Sequence, residues 1–360
     1  MPSEFALIAR HFTRPVRHTV LGVGDDGAIV RPSPGMDLVV STDMLVAGAH
    51  FLPDAEPEAL GWKTLAVNLS DLAAMGAQPR WAVMAAALPG ADEAWIAAFA
   101  RGFFAAAEAF DVDVIGGDTT RGPLNLAPTV FGEVPQGQAL TRAGASAGDE
   151  VWVSGAPGLA GLGLAHRQGK VWLHGTARSL CLTALDRPQP RVALGLALRG
   201  LASAAIDVSD GLLADLGHIL ERSALAAEID FSRLPHAALA AGGDTELARR
   251  CLLAGGDDYE LVFSAPAKRH SEVEALAARC HLPLTCIGRL HAGPAAELSV
   301  RDAAGQPMPI ERRGYDHFAV EIDPPPAPLP EGGGDGGSRA APAQDSVSLP
   351  PAPLPEEGSA

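Results

Sequence analysis

Carboxylates recur beside glycines in this sequence, first in the stretch LGVGDDGAIV at residues 21–30. Its glycines have the G-x-G-x-x-G spacing of a dinucleotide-binding turn, and Asp43 follows at the distance of a ribose-binding acid. Asp25 and Asp26, however, lie between the last two glycines, where they would repel a pyrophosphate. Three interpretations are therefore open: a phosphate cradle, a metal site or an acidic turn.

Further aspartates lie at the ends of predicted strands or beside glycines. They are Asp43, Asp118, Asp207, Asp210, Asp257 and Asp258, while Asp71 faces away from the leucine stripe of a predicted helix. Taken singly, each has a structural explanation: Asp210 can cap the following helix, and Asp118 can close an Asx turn. Taken together they favour a site, because glycine lets backbone approach a ligand and α/β sites gather at strand ends. Clustered aspartates need divalent cations to coexist, and oxygen ligands favour Mg²⁺ over Zn²⁺.

Other catalytic signatures do not fit the sequence. The stretches GWKT and QGK lack Walker A spacing, and Ser209 has no G-x-S-x-G context for a catalytic triad. The glycine-rich turn GAPGLAGLG at 155–163 has two open interpretations, a phosphate cradle formed by backbone amides or a tight turn with close packing. The cysteines, Cys181, Cys251, Cys280 and Cys286, form no C-x-x-C motif and are interpreted as small buried residues of a reducing compartment.

Charge and composition exclude several classes of partner. The chain has 360 residues, 47% of them hydrophobic, and a formal net charge of −16. Bare nucleic acid is excluded as a partner, because non-specific affinity for it comes mainly from Lys and Arg. The N-terminus has no apolar signal region, and no run of 18 apolar residues occurs, so we expect a cytoplasmic protein without a membrane segment.

Strand-like and helix-like patterns alternate and predict a mixed α/β (α+β) protein. Strands are predicted at 37–43, 81–88, 112–118, 126–134, 150–155, 204–211, 227–231, 259–264 and 284–288, and helices at 56–74, 92–110, 212–222 and 270–280. The polar stretch at 142–149 is the best internal boundary. We therefore predict a domain at 1–143, a second at 144–322, and a disordered Pro/Gly-rich tail at 323–360.

The motifs occur in an order that is similar to one enzyme family. They are GVGDDGAIV, STDMLVAGAHF, AVNLSDLAAMGA, VIGGDTTRGP, ALTRAGA, IDVSDGLLADLGHI, GGDDYEL and GYDHFA, and they extend over roughly residues 3 to 319. Together they resemble the thiamine-monophosphate kinase family, which belongs to the superfamily of aminoimidazole ribonucleotide synthetase. The resemblance implies a two-domain fold, N-terminal domains that pair in a homodimer, and an active site in the cleft between domains.

The resemblance also implies a reaction and its residues. The reaction is direct, Mg²⁺-assisted in-line transfer of a phosphoryl group from ATP to thiamine monophosphate, with K⁺ as a further candidate cofactor. The implied Mg²⁺ ligands are Asp26, Ser41, Thr42, Asp43, Asp71, Asp118, Asp207 and Asp210. Gly117, Asp118, Arg142 and Ser209 are implied to contact ATP, and His50, Asp257 and Tyr315 to contact thiamine monophosphate. Asp43, Asp118, Arg142 and Asp210 are the implied catalytic residues.

Two positions depart from the family pattern. Asp257 replaces a glutamate, which shortens one substrate contact by a methylene, and Phe110 replaces a tyrosine, which removes a hydroxyl. The alternatives are another synthetase of the superfamily, of the purine pathway or for selenophosphate, and a non-catalytic nucleotide-binding relative. A selenophosphate synthetase usually needs a reactive N-terminal Cys or selenocysteine, whereas the first cysteine here is Cys181.

Overall fold

The computed structural model describes residues 7–243 and 245–315. The predicted disordered tail, 323–360, lies outside the described residues. Within them, mixed α/β secondary structure forms two large sheets, one in each half of the chain, and a two-stranded ribbon. The predicted mixed α/β class is confirmed. Among the helices that the structure describes, none is long and apolar enough to span a membrane.

The first half of the chain forms a two-stranded ribbon and a five-stranded sheet covered by two helices. The strands are β1 (Thr19–Leu21), β2 (Ile29–Val30), β3 (Met36–Thr42), β4 (Leu45–Val46), β5 (Gln78–Leu88), β6 (Asp113–Arg121) and β7 (Asn125–Pro135), and the helices are α1 (Pro57–Ala74) and α2 (Glu93–Ala109). The sheet order is β3-β7-β5-β6, with β4 also paired to β7. Only β5 and β6 are parallel within this sheet. The ribbon pairs β1 with β2.

Helix α1 is central to the fold. It starts at Pro57, a favoured first helical residue, and the Glu56 carboxylate accepts the N–H groups of Glu58 and Ala59. Leu65, Leu69 and the residues around them are buried on every side of the helix. A helix that is buried all round must have structure on both of its faces. The sheet of the first half covers one face, and the second half of the chain covers the other.

The second half forms a six-stranded sheet with helices packed around it. The strands are β8 (Glu150–Ser154), β9 (Ala204–Asp207), β10 (Ala226–Asp230), β11 (Leu261–Ala265), β12 (Leu284–His291) and β13 (Leu298–Arg301), in the order β13-β10-β12-β8-β11-β9. The helices are α3 (Leu159–Arg167), α4 (Gly175–Asp186), α5 (Val192–Leu198), α6 (Leu212–Ser223), α7 (Ala237–Gly242), α8 (Glu246–Ala254) and α9 (His270–Cys280). The predicted strands and helices are thus found. Outside the predicted ranges, the described residues add the helices α3, α4, α5, α7 and α8 and the short strands β1, β2, β4 and β13.

The two halves meet along α1. The indole N–H of Trp62 donates to the carbonyl of Pro188 at 2.8 Å. Gly195 of α5 packs so closely on the Ala73 carbonyl that no side chain would fit at that position. This close packing brings the end of β9 toward α1, and the candidate site lies where they meet.

The face of the first sheet opposite α1 carries exposed apolar side chains. We call this surface the open face. Its exposed large residues are Leu38 and Val40 of β3. The ribbon, which contacts β6 at the other edge of the sheet, has three further exposed apolar residues, Val20, Leu21 and Ile29. On β3, Val39 is buried while Leu38 and Val40 are exposed, as alternation along a strand requires.

Candidate active site

Four aspartates come together where α1 meets the end of β9. Asp43 follows β3, Asp71 lies on α1, Asp207 ends β9, and Asp210 lies in the turn before α6. We call them the carboxylate cluster. Asp43 experiences the charges of Asp71 and Asp210, and Asp207 experiences those of Asp71 and Asp43. The structure therefore brings together four aspartates that are far apart in the sequence.

Burial and mutual repulsion make it costly to ionise the cluster. Burial raises the pKa of Asp43 to about 6, and the charges of Asp71 and Asp210 add to the rise. Burial likewise raises the pKa of Asp71, although a hydrogen bond from Ser41 and the charge of Arg142 lower it. Burial and the charge of Asp71 place the pKa of Asp207 well above its ordinary value. A divalent cation would remove this penalty, because an opposite charge favours the ionised carboxylate.

Hydrogen bonds fix the positions of two cluster members. The Ser41 hydroxyl donates to Asp71 at 2.5 Å, which joins β3 to α1. The backbone N–H of Asp43 donates to the side-chain oxygen of Asn68 at 2.8 Å, so the carboxylate of Asp43 is left for another partner. Asn68 is fully buried and also donates to the carbonyl of Thr64.

A turn after β9 positions Ser209 and Asp210. The buried carboxylate of Asp215 accepts the backbone N–H groups of Ser209, Asp210 and Gly211 at 3.0, 3.1 and 3.0 Å. Gly211 has φ 138°, a conformation that favours glycine. The backbone N–H of Tyr315 donates to the carbonyl of Asp210 at 2.9 Å, so Tyr315 lies beside this turn.

A cavity of about 110 Å³ brings His50 and Asp257 together, as the resemblance implies. Lys63 also lines it, and its ammonium lies 3.0 Å from Asp257 Oδ2. The Lys63 side chain is only 6% exposed, so this ion pair is largely shielded from water. Asp257 also accepts a hydrogen bond from the Tyr259 hydroxyl at 3.2 Å. The cavity thus holds a carboxylate that is already paired with a buried cation.

Three implied metal ligands lie outside the carboxylate cluster. The Thr42 hydroxyl donates to the carbonyl of Pro128 at 2.9 Å. The strand register places Thr42 and Asp118 on the open face of the first sheet, whereas Ser41 faces α1. Asp26 lies in an exposed turn, where its backbone N–H donates to Asp25. The roles of Asp26, Thr42 and Asp118 as ligands stay predictions.

The remaining implied residues have clear structural surroundings. Gly117 has φ 153°, and a side chain there would collide with the Met84 carbonyl of β5. Arg142 lies close enough to lower the pKa of Asp71. The Phe110 ring packs 6.1 Å from the ring of Trp62. The ATP contacts of Gly117, Arg142 and Ser209 stay predictions.

The glycine-rich turn at 155–163 is a packing turn built around a buried carboxyl group. The buried carboxylate of Asp258 accepts the N–H of Gly158 at 2.6 Å and that of Ala160 at 3.3 Å. Gly158 has φ 89° and precedes α3 directly. Because Asp258 already occupies these amides, the structure favours the second of the two interpretations of this turn.

Sequence reasoning missed several residues that support the site. Lys63 was one of three lysines in the chain, and its position within an apolar helical stretch was the available signal. Asp215 lies in the first turn of α6, where an acid commonly meets free N–H groups. Glu260 accepts two bonds from Arg191, at 2.7 and 2.5 Å, and one from Ser154 at 2.5 Å. No local pattern indicates that last set, since its members are far apart in sequence.

Comparison with known proteins identifies the class of the fold. Residues 24–134 match the N-terminal domain of AIR synthase related proteins, and residues 146–301 match their C-terminal domain. The two-domain fold of this class is confirmed.

Individual relatives define the family within this class. The thiamine-monophosphate kinase of Escherichia coli K12 is 45% identical over 323 residues, which cover 88% of this chain and 98% of the relative. The crystal structure of thiamine-monophosphate kinase from Stenotrophomonas maltophilia K279a matches with a TM-score of 0.73 and 48% identity, covering 83% of this chain and 95% of that one. A complex of AaThiL with AMPPCP and TMP matches with a TM-score of 0.69 and 29% identity, covering 88% of this chain and 97% of that one. The chain belongs to the thiamine-monophosphate kinase family.

Proposed function

We propose that this chain transfers the terminal phosphoryl group of ATP to the phosphate of thiamine monophosphate in one in-line step, giving thiamine diphosphate. Membership of the family makes the chain a phosphotransferase. The complex of AaThiL with AMPPCP and TMP supports the choice of ATP and thiamine monophosphate as substrates. The observation that carries the mechanism is the carboxylate cluster, which burial and repulsion disfavour unless cations join it.

The donor set of the cluster fits Mg²⁺. Its groups are carboxylate and hydroxyl oxygens, which Mg²⁺ prefers, and it contains neither thiolate nor imidazole. Asp43, Asp71, Asp207 and Asp210, with Ser41, would hold the metal, and Asp26, Thr42 and Asp118 are proposed as further ligands. When bound, Mg²⁺ neutralises phosphate charge and aligns the attacking and leaving oxygens. K⁺ stays a candidate additional cofactor.

The residues of the chain would position and neutralise the reactants. Arg142, beside Asp71, would hold a phosphate oxygen with its planar donor fork. The N–H groups of the turn at 209–211 are taken by Asp215, so Ser209 would contact a nucleotide through its hydroxyl. The acceptor is a phosphate monoester with a second pKa of about 6, so it is already anionic at pH 7 and needs no general base. Positioning and electrostatics are then the main sources of catalysis.

The cavity that contains His50 and Asp257 is the proposed site of the thiamine moiety. Its lining combines Phe51 and Leu60 with polar groups, as small-molecule sites usually do. Thiazolium is a cation, so we propose that it would share the Asp257 carboxylate with Lys63, and Tyr315 is a further candidate contact. The Lys63 ammonium would hold Asp257 in place through Oδ2. The second carboxylate oxygen, Oδ1, accepts the hydrogen bond from the Tyr259 hydroxyl.

The open face supports a homodimer as the working assembly. Leu38 and Val40 project from β3 into solvent, and the β1–β2 ribbon exposes three further apolar residues. Exposed apolar surface of this kind marks contacts between proteins. Cytoplasmic location stays a prediction.

The decisive experiment offers thiamine monophosphate and thiamine side by side, each with ATP. We expect thiamine diphosphate from the monophosphate only, with no turnover in EDTA and full recovery on addition of Mg²⁺. Parallel reactions in K⁺ and Na⁺ test the monovalent cation. Absence of thiamine diphosphate with ATP and Mg²⁺ would overturn the proposal, and turnover of thiamine itself would assign a different acceptor.

A further inference from the structure

A second group of possible metal ligands lies at the far end of the C-terminal sheet. Glu150, His270 and Cys286 each offer one ligand atom, and these atoms all lie within 4.8 Å of one another. We call them the Glu-His-Cys cluster. Glu150 is the first residue of β8 and pairs with Ala265, the last residue of β11. Asp207 pairs with Leu261 at the opposite end of β11. The two clusters therefore lie at opposite ends of the strands of one sheet.

Local structure directs each of the three side chains to the same point. His270 starts α9, and its Nδ1 lies 2.7 Å from Glu150 Oε2. Cys286 lies at an irregularity in the pairing of β12 with β8, where the register shifts between Cys286 and Gly288. Such a bulge re-aims a side chain relative to a regular strand. Glu150 is buried, while His270 and Cys286 are partly exposed, so an ion has a path from solvent.

The other nitrogen of the imidazole has the partner that metal-bound histidines usually have. His270 Nε2 lies 3.3 Å from the carboxylate of Glu274, one helical turn further along α9. A histidine that binds a metal through one nitrogen commonly donates the other N–H to a carboxylate, which fixes the ring orientation and tautomer. Arg289 Nη2 lies 3.4 Å from Glu150 Oε1 and leaves Oε2 toward His270. Glu274 and Arg289 therefore orient His270 and Glu150. They do not occupy His270 Nδ1 or Glu150 Oε2, the two atoms that face one another.

We propose that the Glu-His-Cys cluster binds one Zn²⁺ ion, outside the catalytic centre. Thiolate, imidazole and carboxylate are the ligands of zinc, whereas Mg²⁺ prefers oxygen alone. Zinc–ligand bonds of about 2.0–2.3 Å place tetrahedral ligands about 3.5 Å apart, so the side chains must close by about 1 Å. On binding, the Cys286 thiol releases its proton to solvent, and any proton shared by His270 and Glu150 is displaced. The fourth position is left to water.

Cobalt(II) tests the proposal, since it replaces zinc and reports a thiolate ligand by charge-transfer absorption in the near ultraviolet. The full chain is titrated with Co²⁺ in excess Mg²⁺, which fills the carboxylate cluster. We expect one equivalent to produce the absorption and Zn²⁺ to abolish it. Cys286→Ser should remove the absorption, whereas Cys280→Ser, a half-buried cysteine at the end of α9, should retain it.

A second variant separates metal binding from folding. Glu274→Gln should weaken Zn²⁺ binding about 10–100-fold, as loss of such an outer partner usually does. Glu272→Gln, on the same helix but paired with Arg269, should leave the affinity unchanged. Phosphoryl transfer with Mg²⁺ should be the same in Cys286→Ser and wild type. The proposal is overturned if no thiolate absorption appears, or if it persists in Cys286→Ser.

Discussion

Replacing Asp43 by Asn should inactivate the protein and, without metal, stabilise it. Among the described residues, the backbone N–H of Asp43, and not its carboxylate, is bonded to Asn68. Asparagine keeps the shape and removes the charge. Loss of a proposed bridging ligand should lower turnover at least about 100-fold.

The size of the stabilisation follows from the pKa of Asp43. Burial, followed by repulsion from Asp71 and Asp210, raises it from 3.8 to about 6. At 1.36 kcal/mol for each pKa unit, the full shift corresponds to about 3 kcal/mol. Because the side chain is only partly buried and water screens its charge, we expect about 1–2 kcal/mol.

The pH dependence has a definite sign. A carboxyl whose pKa is raised by folding binds its proton more tightly in the folded state than in the unfolded state. Its contribution to stability is therefore complete below pH 3.8 and is lost as the pH rises through about 6. The asparagine side chain of the variant stays neutral throughout, so Asp43→Asn should exceed wild type in stability at pH 8 and match it near pH 4.

Urea unfolding in EDTA at pH 8, 6 and 4 measures this difference. Asp37→Asn, an exposed aspartate on β3, is the matched control and should show no such gain. Addition of Mg²⁺ should stabilise wild type more than Asp43→Asn, which reverses their order. The reasoning is refuted if Asp43→Asn is less stable than wild type in EDTA at pH 8, or if the difference does not change with pH.

Three further changes test other parts of the structure. Lys63→Met should leave Asp257 without its cation and raise the KM for thiamine monophosphate about 10-fold, with the KM for ATP unchanged in initial-rate kinetics. Glu260→Gln should weaken a largely buried ion pair and lower the free energy of unfolding by about 2–3 kcal/mol, as urea unfolding measures. Val40→Asp should convert a dimer to monomers in light scattering, whereas Leu180→Asp, exposed elsewhere, should not; a wild-type monomer would contradict the dimer.

The sequence predicted the elements that carry periodic signals. Strand β7 and helix α2 combine clear apolar spacing with turn residues at both ends, and the structure has them within two residues of prediction. Helices α4 and α5 were missed, because the mixed polar and apolar residues of α4 and the short length of α5 give weak periodicity. Their helical structure depends on packing against the rest of the protein, which no local pattern reports.

The site was predictable only in part, because the sequence pattern indicates which residues end a strand more clearly than which way their side chains face. Aspartates at strand ends indicated a metal site, but period-2 alternation also required Ser41 and Thr42 to face opposite sides of β3. The structure has Ser41 bonded to Asp71 and the Thr42 hydroxyl bonded to Pro128. Side chains at both positions therefore cannot bind one ion within the carboxylate cluster, and Thr42 would need to contribute through its backbone carbonyl.

The buried carboxyl groups of this protein differ in their partners. Glu260 has the Arg191 guanidinium, and Asp215 has three backbone N–H groups that lower its pKa, although burial still raises it to about 7. For Asp43 and Asp207, by contrast, the main influences besides burial are other carboxylates. Proteins neutralise buried charge when its role is structural, because an uncompensated charge opposes folding. We therefore expect divalent cations to complete this cluster, and the Asp43→Asn experiment measures the repulsion that remains without them.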